Sequence, residues 1–121
     1  MVDVVLVRQP IEPGETERAR ELLSGARDAL GDDEVVGLIQ REGVYTESAF
    51  LEETDDGDYV VYYIEAEDGE RVYEVFQDIV DDPDDELIRE FTEVMAGEPT
   101  VADVDLLYHL VNPERPRSLP E

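Results

Sequence analysis

Residues 44–66 read VYTESAFLEETDDGDYVVYYIEA, and this stretch decides the fold. Residues 44–53 and 59–66 are two runs rich in β-branched and aromatic side chains. An Asp-Gly pair between such runs, here Asp56-Gly57, is a strong short-range signal for a β-hairpin. We therefore predict two antiparallel strands joined by a tight turn that has this pair as its two central residues.

The turn assigns each strand residue to one of two faces of the sheet. With this turn, Asp55 lies opposite Asp58 and Thr54 lies opposite Tyr59, and cross-strand partners share a face. The predicted helix-facing side is apolar and carries Ala49, Leu51, Val60, Tyr62, Ile64 and Ala66. The predicted outer side mixes aromatic and polar groups, namely Ser48, Phe50, Glu52, Tyr59, Val61, Tyr63 and Glu65. A register shift of one residue would exchange these two faces.

Patterns on either side of the hairpin complete the predicted fold. β-Branched residues at the N-terminus indicate a central strand, and apolar residues at helical spacing indicate helices. The predicted flanking elements are a strand at 2–7, helices at 16–30, 71–80 and 84–95, and a last strand at 104–111. Residues 35–40 have a mixed pattern and receive no assignment.

The resulting order, β-α-β-β-α-β, predicts the α+β class. It is typical of the ferredoxin-like fold with an antiparallel four-stranded sheet. We assign residues 1–112 to one ferredoxin-like domain. Residues 113–121 contain Pro113, Pro116 and Pro120 and are predicted to form an extended, proline-rich C-terminal tail.

The predicted outer face is too apolar to be left in water. In the last strand, alternation directs Leu107, His109 and Val111 to the same side as Phe50 and Tyr63. A contiguous exposed patch of this kind marks an interaction surface. Because the predicted helices cover the opposite face, we expect a second copy of the chain to cover this one, which predicts a homodimer.

Three stretches carry a resemblance to a known family: FLE at 50–52, GDYVVYYIEA at 57–66 and LLYHL at 106–110. Over roughly residues 1–112, the chain resembles the small family DUF6176 within the dimeric α/β-barrel superfamily. Ferredoxin-like protomers of that superfamily pair their sheets. The resemblance therefore implies a dimeric α/β barrel, and it implies no established activity.

The composition is strongly acidic. The chain has 121 residues, with 34 acidic and 9 basic side chains and a formal net charge of −25. This charge argues against nucleic acid and anionic membranes as partners, because so few cations cannot neutralise rows of phosphates. Every basic residue is arginine. Acid enrichment without lysine resembles the proteins of halophilic archaea, in whose molar salt a screening length of about 3 Å weakens self-repulsion.

Several segments and motifs are missing from the sequence. The N-terminus lacks the features of a signal peptide, no apolar run is long enough to span a membrane, and cysteine is absent. These features predict a cytoplasmic protein. No glycine-rich phosphate loop, nucleophile elbow or zinc-binding helix motif occurs, so we predict no cofactor and no metal.

His109, Tyr63 and Glu52 are the candidate catalytic residues. His109 is the only histidine, and it could exchange protons near neutral pH inside the predicted cavity between two sheets. Tyr63 could orient a substrate oxygen, and Glu52, if buried, could act as a base. Each has a structural alternative: His109 as a hydrogen-bonding group across the dimer, Tyr63 as an interface aromatic, and Glu52 as part of the acidic surface.

Two classes of function stay open at this point. The first is a cofactor-independent enzyme with a small-molecule pocket in which His109 transfers a proton. The second is a non-catalytic ligand-binding or stress-related module in which His109 is structural. Arg8 and Arg41 are expected to form salt bridges with surface carboxylates rather than to bind a ligand.

Overall fold

The computed structural model describes residues 2–81 and 86–116. Its elements are β1 (Asp3–Pro10), α1 (Thr16–Leu30), α2 (Asp32–Glu42), β2 (Val44–Thr54), β3 (Gly57–Ala66), α3 (Gly69–Asp81), α4 (Glu86–Glu93) and β4 (Thr100–Val101). The four strands form one sheet in the order β2-β3-β1-β4, with antiparallel pairing throughout. This topology confirms the predicted ferredoxin-like α+β class. Among the described residues, none of the helices combines the length and the apolar composition that crossing a bilayer requires.

The hairpin forms with a register two residues away from the predicted one. Thr54 pairs with Gly57 and Glu52 pairs with Tyr59, so the two central turn residues are Asp55 and Asp56. The Thr54 hydroxyl donates to the Gly57 carbonyl oxygen at 2.6 Å and accepts from the Asp56 N–H at 3.2 Å. This side-chain closure explains why the turn lies one position earlier. The predicted pairing was wrong, but a shift of two leaves every residue on its predicted face.

The hydrophobic core lies between the helices and the predicted helix-facing side of the sheet. Val60, Tyr62, Ile64 and Ala66 of β3 are buried there. The other buried hydrophobic residues are Ile11, Ala19, Val44, Val72, Val94 and Met95. Burying an aliphatic side chain of this size contributes about 1.5–3 kcal/mol. The described core is therefore one-sided, and the outer face of the sheet stays largely open to solvent.

Residues 35–40, left unassigned from the sequence, belong to α2. The Val35-Val36-Gly37 run has a low intrinsic helix propensity, which obscures the pattern. Gly43 ends the helix in the left-handed conformation, with φ 71°, and its N–H points to the carbonyl oxygens of Ile39 and Gln40. Ile39 packs against the core. The cap and this tertiary contact therefore outweigh the weak local preference.

The predicted last strand at 104–111 is wrong. β4 consists only of Thr100 and Val101, which pair with Arg8 and Val7 of β1. The Ala102 N–H still donates to the Leu6 carbonyl oxygen at 2.8 Å, and residues 103–111 then carry no strand pairing. In this register, position 105 would lie opposite the first residue of β1, so β1 offers no partner to most of the predicted strand.

Two other predicted segments lie partly outside the described residues. The helix predicted at 84–95 is observed as α4, and its predicted start at 84–85 is not described. In the tail, a turn follows Asn112, whose carbonyl oxygen accepts from the Arg115 N–H at 2.9 Å. Residues 117–121 are not described. The division into a domain and a tail therefore stays a prediction.

Candidate functional site

Two of the three predicted site residues meet on the outer face of the sheet. The Tyr63 hydroxyl donates to Glu65 Oε2 at 3.1 Å, and His109 Nε2 lies 3.7 Å from the same oxygen. Partial burial, the hydrogen bond to Glu65 and the negative charge of Glu65 together raise the pKa of Tyr63. We call Tyr63, Glu65 and His109 the outer cluster. Glu65, which joins the other two, was not among the predicted site residues.

Glu52 does not belong to this cluster. Its Oε1 accepts from Arg8 Nη2 at 2.9 Å and from Arg8 Nε at 3.0 Å. The Arg8 guanidinium also lies 3.6 Å from the centre of the Tyr59 ring. Glu52 pairs with Tyr59 whereas Ser48 pairs with Tyr63, so the two positions are about 13 Å apart along the strand. Arg8 therefore forms the expected salt bridge, and that bridge holds the Glu52 carboxylate.

A cavity on the opposite face of the sheet forms a second candidate site. It lies between the sheet and α3, close to β4, and has a volume of about 30 Å³. Its described walls are Val5, Val7, Glu47, Tyr62, Ile64, Val72, Tyr73, Pro99 and Val101. The walls are mostly aliphatic or aromatic. The space is enough for about two water molecules or one small polar group.

Glu47 and Tyr62 supply polar groups to this cavity, whose wall also includes the partly exposed Tyr73. Glu47 pairs with Ile64 and Tyr62 pairs with Ala49, so both side chains are on the helix-facing side. Glu47 belongs to an edge strand and keeps contact with solvent, but burial on its cavity side raises the pKa of its carboxyl group. Burial, and then the negative charge of Glu47, raise the pKa of Tyr62. Tyr62 therefore keeps its proton at neutral pH and can donate a hydrogen bond.

The sequence carries a signal for Glu47 in the alternation of β2. The helix-facing parity of β2 runs through Leu51 and Ala49, and its next position towards the N-terminus is Glu47. Glu53 shares this parity at the turn end of the strand, so Glu47 is the carboxylate beyond the apolar pair Ala49 and Leu51 on the helix-facing side, and such a position is more informative than one on a solvated surface. The backbone carbonyl oxygen of Arg41 accepts a hydrogen bond from Arg71 Nη2 at 2.8 Å.

Within residues 2–81 and 86–116, no three histidine, aspartate or glutamate side chains gather to hold a metal ion.

Comparisons with solved structures show the same fold at low sequence identity. A dimeric ferredoxin-like protein from an uncultured marine organism aligns with a TM-score of 0.56 and 9% identity, over 93% of this chain and 100% of its own. The polyketide cyclase tetracenomycin F2 cyclase of Streptomyces glaucescens aligns with a TM-score of 0.52 and 15% identity, over 92% and 99%. A protein of Nitrosomonas europaea, assigned as an antibiotic biosynthesis monooxygenase, gives 0.50 and 13%, over 89% and 100%.

These likenesses support the fold alone, because every identity is low. A search of curated proteins gives no significant match. A family model, described as a family of unknown function, matches residues 2–115. The match spans nearly the whole chain and confirms the resemblance inferred from the sequence. The chain therefore belongs to the DUF6176 family.

Proposed function

We propose that the chain binds a small molecule in the cavity between the sheet and α3 and catalyses a cofactor-independent proton transfer there. One observation carries the proposal: Glu47 and the buried Tyr62 line a cavity whose other walls are aliphatic side chains, Pro99 and the ring of Tyr73. Apolar walls with a few convergent polar groups are characteristic of small-molecule sites. Glu47 is the proposed base, and the Tyr62 hydroxyl is the proposed hydrogen-bond donor.

The shape of the cavity restricts the class of ligand. A volume of about 30 Å³ accepts one polar edge of a molecule and not a whole ring. Tyr73 and Val101 line the cavity and are partly exposed, so the rest of the ligand would lie across them. A planar, mainly apolar molecule with one carbonyl or hydroxyl group fits these walls. The polyketide cyclase and the monooxygenase with the same fold make such a ligand a reasonable choice for testing.

The proposed chemistry needs only these two side chains. The Glu47 carboxylate takes a proton from the carbon next to the ligand carbonyl, which leaves a neutral acid and an enolate. The Tyr62 hydroxyl donates a hydrogen bond to the enolate oxygen. A raised pKa makes Glu47 a stronger base than a solvated carboxylate, and general-base catalysis typically contributes about 10²–10⁴-fold.

A second candidate places the proton transfer at the outer cluster. The contact of His109 with Glu65 supports it, because a carboxylate next to a histidine can orient the imidazole. The non-catalytic alternative is a ligand-binding or stress-related module in which His109 is structural.

We also infer a homodimer. The open outer face and the likeness to a dimeric ferredoxin-like protein support that state.

The test uses 2-tetralone, a bicyclic ketone with acidic C–H bonds next to its carbonyl. Proton NMR in deuterated buffer with about 2 M KCl follows line broadening on binding and loss of the α-proton signal on exchange. We expect wild type to bind the ketone and accelerate exchange above the buffer rate. Glu47→Gln should lower the enzymatic rate about a hundredfold. Glu52→Gln, the same change on the other face of the same strand, should stay within about twofold of wild type, because that carboxylate lies outside the cavity.

Each other outcome selects a different conclusion. Equal rates in wild type and Glu47→Gln would remove Glu47 from the mechanism. Loss of exchange in His109→Ala, with Glu47→Gln unaffected, would move the chemistry to the outer cluster. Binding without accelerated exchange would support the non-catalytic module. Absence of binding by wild type would overturn the proposed ligand class.

A further inference from the structure

An exposed apolar segment follows β4. We call residues 104–111, VDLLYHLV, the arm. Leu107, Leu110 and Tyr108 expose 88%, 83% and 78% of their surface, the highest exposures among the described large hydrophobic residues. The arm has no strand pairing of its own. A run of this apolar character is costly to leave in water, at about 25 cal/mol for each Å² of apolar surface.

The same molecule also presents an apolar surface that lacks a cover. On the outer face of the sheet, Phe50 is 57% exposed and Val4, Leu6, Val61 and Tyr63 are only partly buried. Near one end of that face, His109 of the arm contacts Glu65. The arm therefore passes the edge of the outer face, yet its leucines stay exposed and are not buried against it.

We propose that the arm packs on the outer face of a second copy of the chain, so that each copy gives its arm to the other and receives one in return. The proposal rests on the homodimer inferred above and goes beyond it by naming the contacting segment. A two-fold pair satisfies both surfaces at once, because the arm and the face belong to the same chain.

The charge pattern favours a second copy as the occupant. Two molecules of charge −25 repel each other, so they can approach closely only through surfaces that are poor in carboxylates. Asp105 is the only acidic residue among the eight residues of the arm, although the chain has 34 in 121. On the outer face, the carboxylate of Glu52 is paired with Arg8 and that of Glu65 is contacted by Tyr63 and His109.

The arm is also connected to the cavity. Pro99 and Val101 form part of the cavity wall, and the arm begins three residues after Val101. β4 is held by only two residue pairs. Docking of the arm on a partner would therefore restrain this wall of the cavity.

The first test is the solution mass by light scattering in about 2 M KCl, with serial dilution to obtain the dissociation constant. We expect wild type at twice the chain mass of 13.7 kDa. Leu107→Asp should raise the dissociation constant at least tenfold, because it buries an unpaired charge at the interface. Val36→Asp is the matched control, since Val36 is an exposed valine on α2, away from the arm and the outer face. Circular dichroism checks that each variant keeps its fold.

The second test does not depend on a destabilising variant. The chain has no cysteine, so Leu107→Cys and Phe50→Cys each introduce a single thiol. Mixing the two variants and adding a short bis-maleimide should give a crosslinked pair of unlike chains, whereas Val36→Cys mixed with Phe50→Cys should not. A monomeric wild type would overturn both the homodimer and the role of the arm. A dimer that tolerates Leu107→Asp as well as Val36→Asp and gives no crosslink would overturn only the role of the arm.

Discussion

The chain has 34 acidic side chains, and the face of the sheet on which a carboxylate lies determines whether it can take part in the proposed chemistry. Glu52 and Glu47 lie on the same strand, five residues apart and on opposite faces. Glu52 is held by an exposed arginine, and such surface pairs typically contribute about 0–1 kcal/mol. Glu47 faces a cavity with few polar groups, and burial on that side raises the pKa of its carboxyl group although the residue keeps contact with solvent. At the residue scale, function is therefore expected at Glu47, although both side chains have the same chemistry.

The raised pKa of Glu47 predicts a pH dependence of stability. The folded protein holds this proton more tightly than the unfolded chain, whose carboxyl titrates near the ordinary value of 4.5. As the pH rises above that value, the unfolded chain loses its proton first, so the free energy of unfolding falls until the folded pKa has been passed. Glu47→Gln cannot titrate, so it should gain stability relative to wild type across this window. Urea denaturation between about pH 4 and pH 8 would measure the difference. A constant difference over that range would contradict the prediction.

Helix caps and strand pairing determine where the helices and strands end. α2 ends because Gly43 adopts a positive φ of 71°, a conformation that glycine takes without the steric penalty of a Cβ. β4 stops at Val101, opposite Val7, although β1 continues to Asp3. The sequence signals near these ends differ in quality: a glycine after a helix is a local signal, whereas no local residue marks where β4 leaves β1.

Two glycine substitutions in and after α2 should have opposite effects on stability. Gly43→Ala places a Cβ in the left-handed conformation and should destabilise the protein by about 1–2 kcal/mol. Gly37→Ala lies inside the same helix with open space around its new methyl group, and should stabilise by about 0.5–1 kcal/mol. Thermal or urea denaturation of both variants tests this pair. Equal effects would mean that the cap does not determine the end of the helix.

The whole molecule is dominated by its net charge of −25. Exposed ion pairs such as Arg20 with Glu53, at 2.8 Å, offset little of this repulsion. The screening length falls from about 10 Å at 0.1 M salt to about 3 Å at 1 M, so most of the repulsion between separated carboxylates disappears in concentrated salt. The fold is therefore expected to depend on salt.

We predict that the chain lacks a full, cooperatively folded structure at about 0.1 M KCl and acquires it towards about 2 M. Circular dichroism and thermal melts across this range would measure the transition. Sucrose serves as an uncharged control, because it favours compact states without screening charge. Full cooperative folding at the lower salt level, or complete rescue by sucrose there, would contradict the assignment of the effect to charge repulsion.

The sequence by itself determined the hairpin, the two faces of its strands, the ferredoxin-like order and the acidic surface. These features depend on side-chain alternation and composition, which are local properties of the sequence. The predicted hairpin register was wrong by two residues, but the residues kept their predicted faces because side chains alternate with a period of two. The family resemblance drew on the same stretches. Side-chain alternation correctly predicted that Tyr63 lies on the outer face. His109 contacts Glu65 there, as Tyr63 does, although the strand predicted at 104–111 does not form.

Only the tertiary structure decided the length of β4, the pairing of Glu52 with Arg8 and the meeting of Glu47 with Tyr62. Each depends on which residue of one strand faces which residue of another, or on how far two strands stay paired. Such long-range geometry is set by the packing of the whole sheet against the helices. No local pattern encodes it, which is why a strand was predicted where the chain carries an exposed arm.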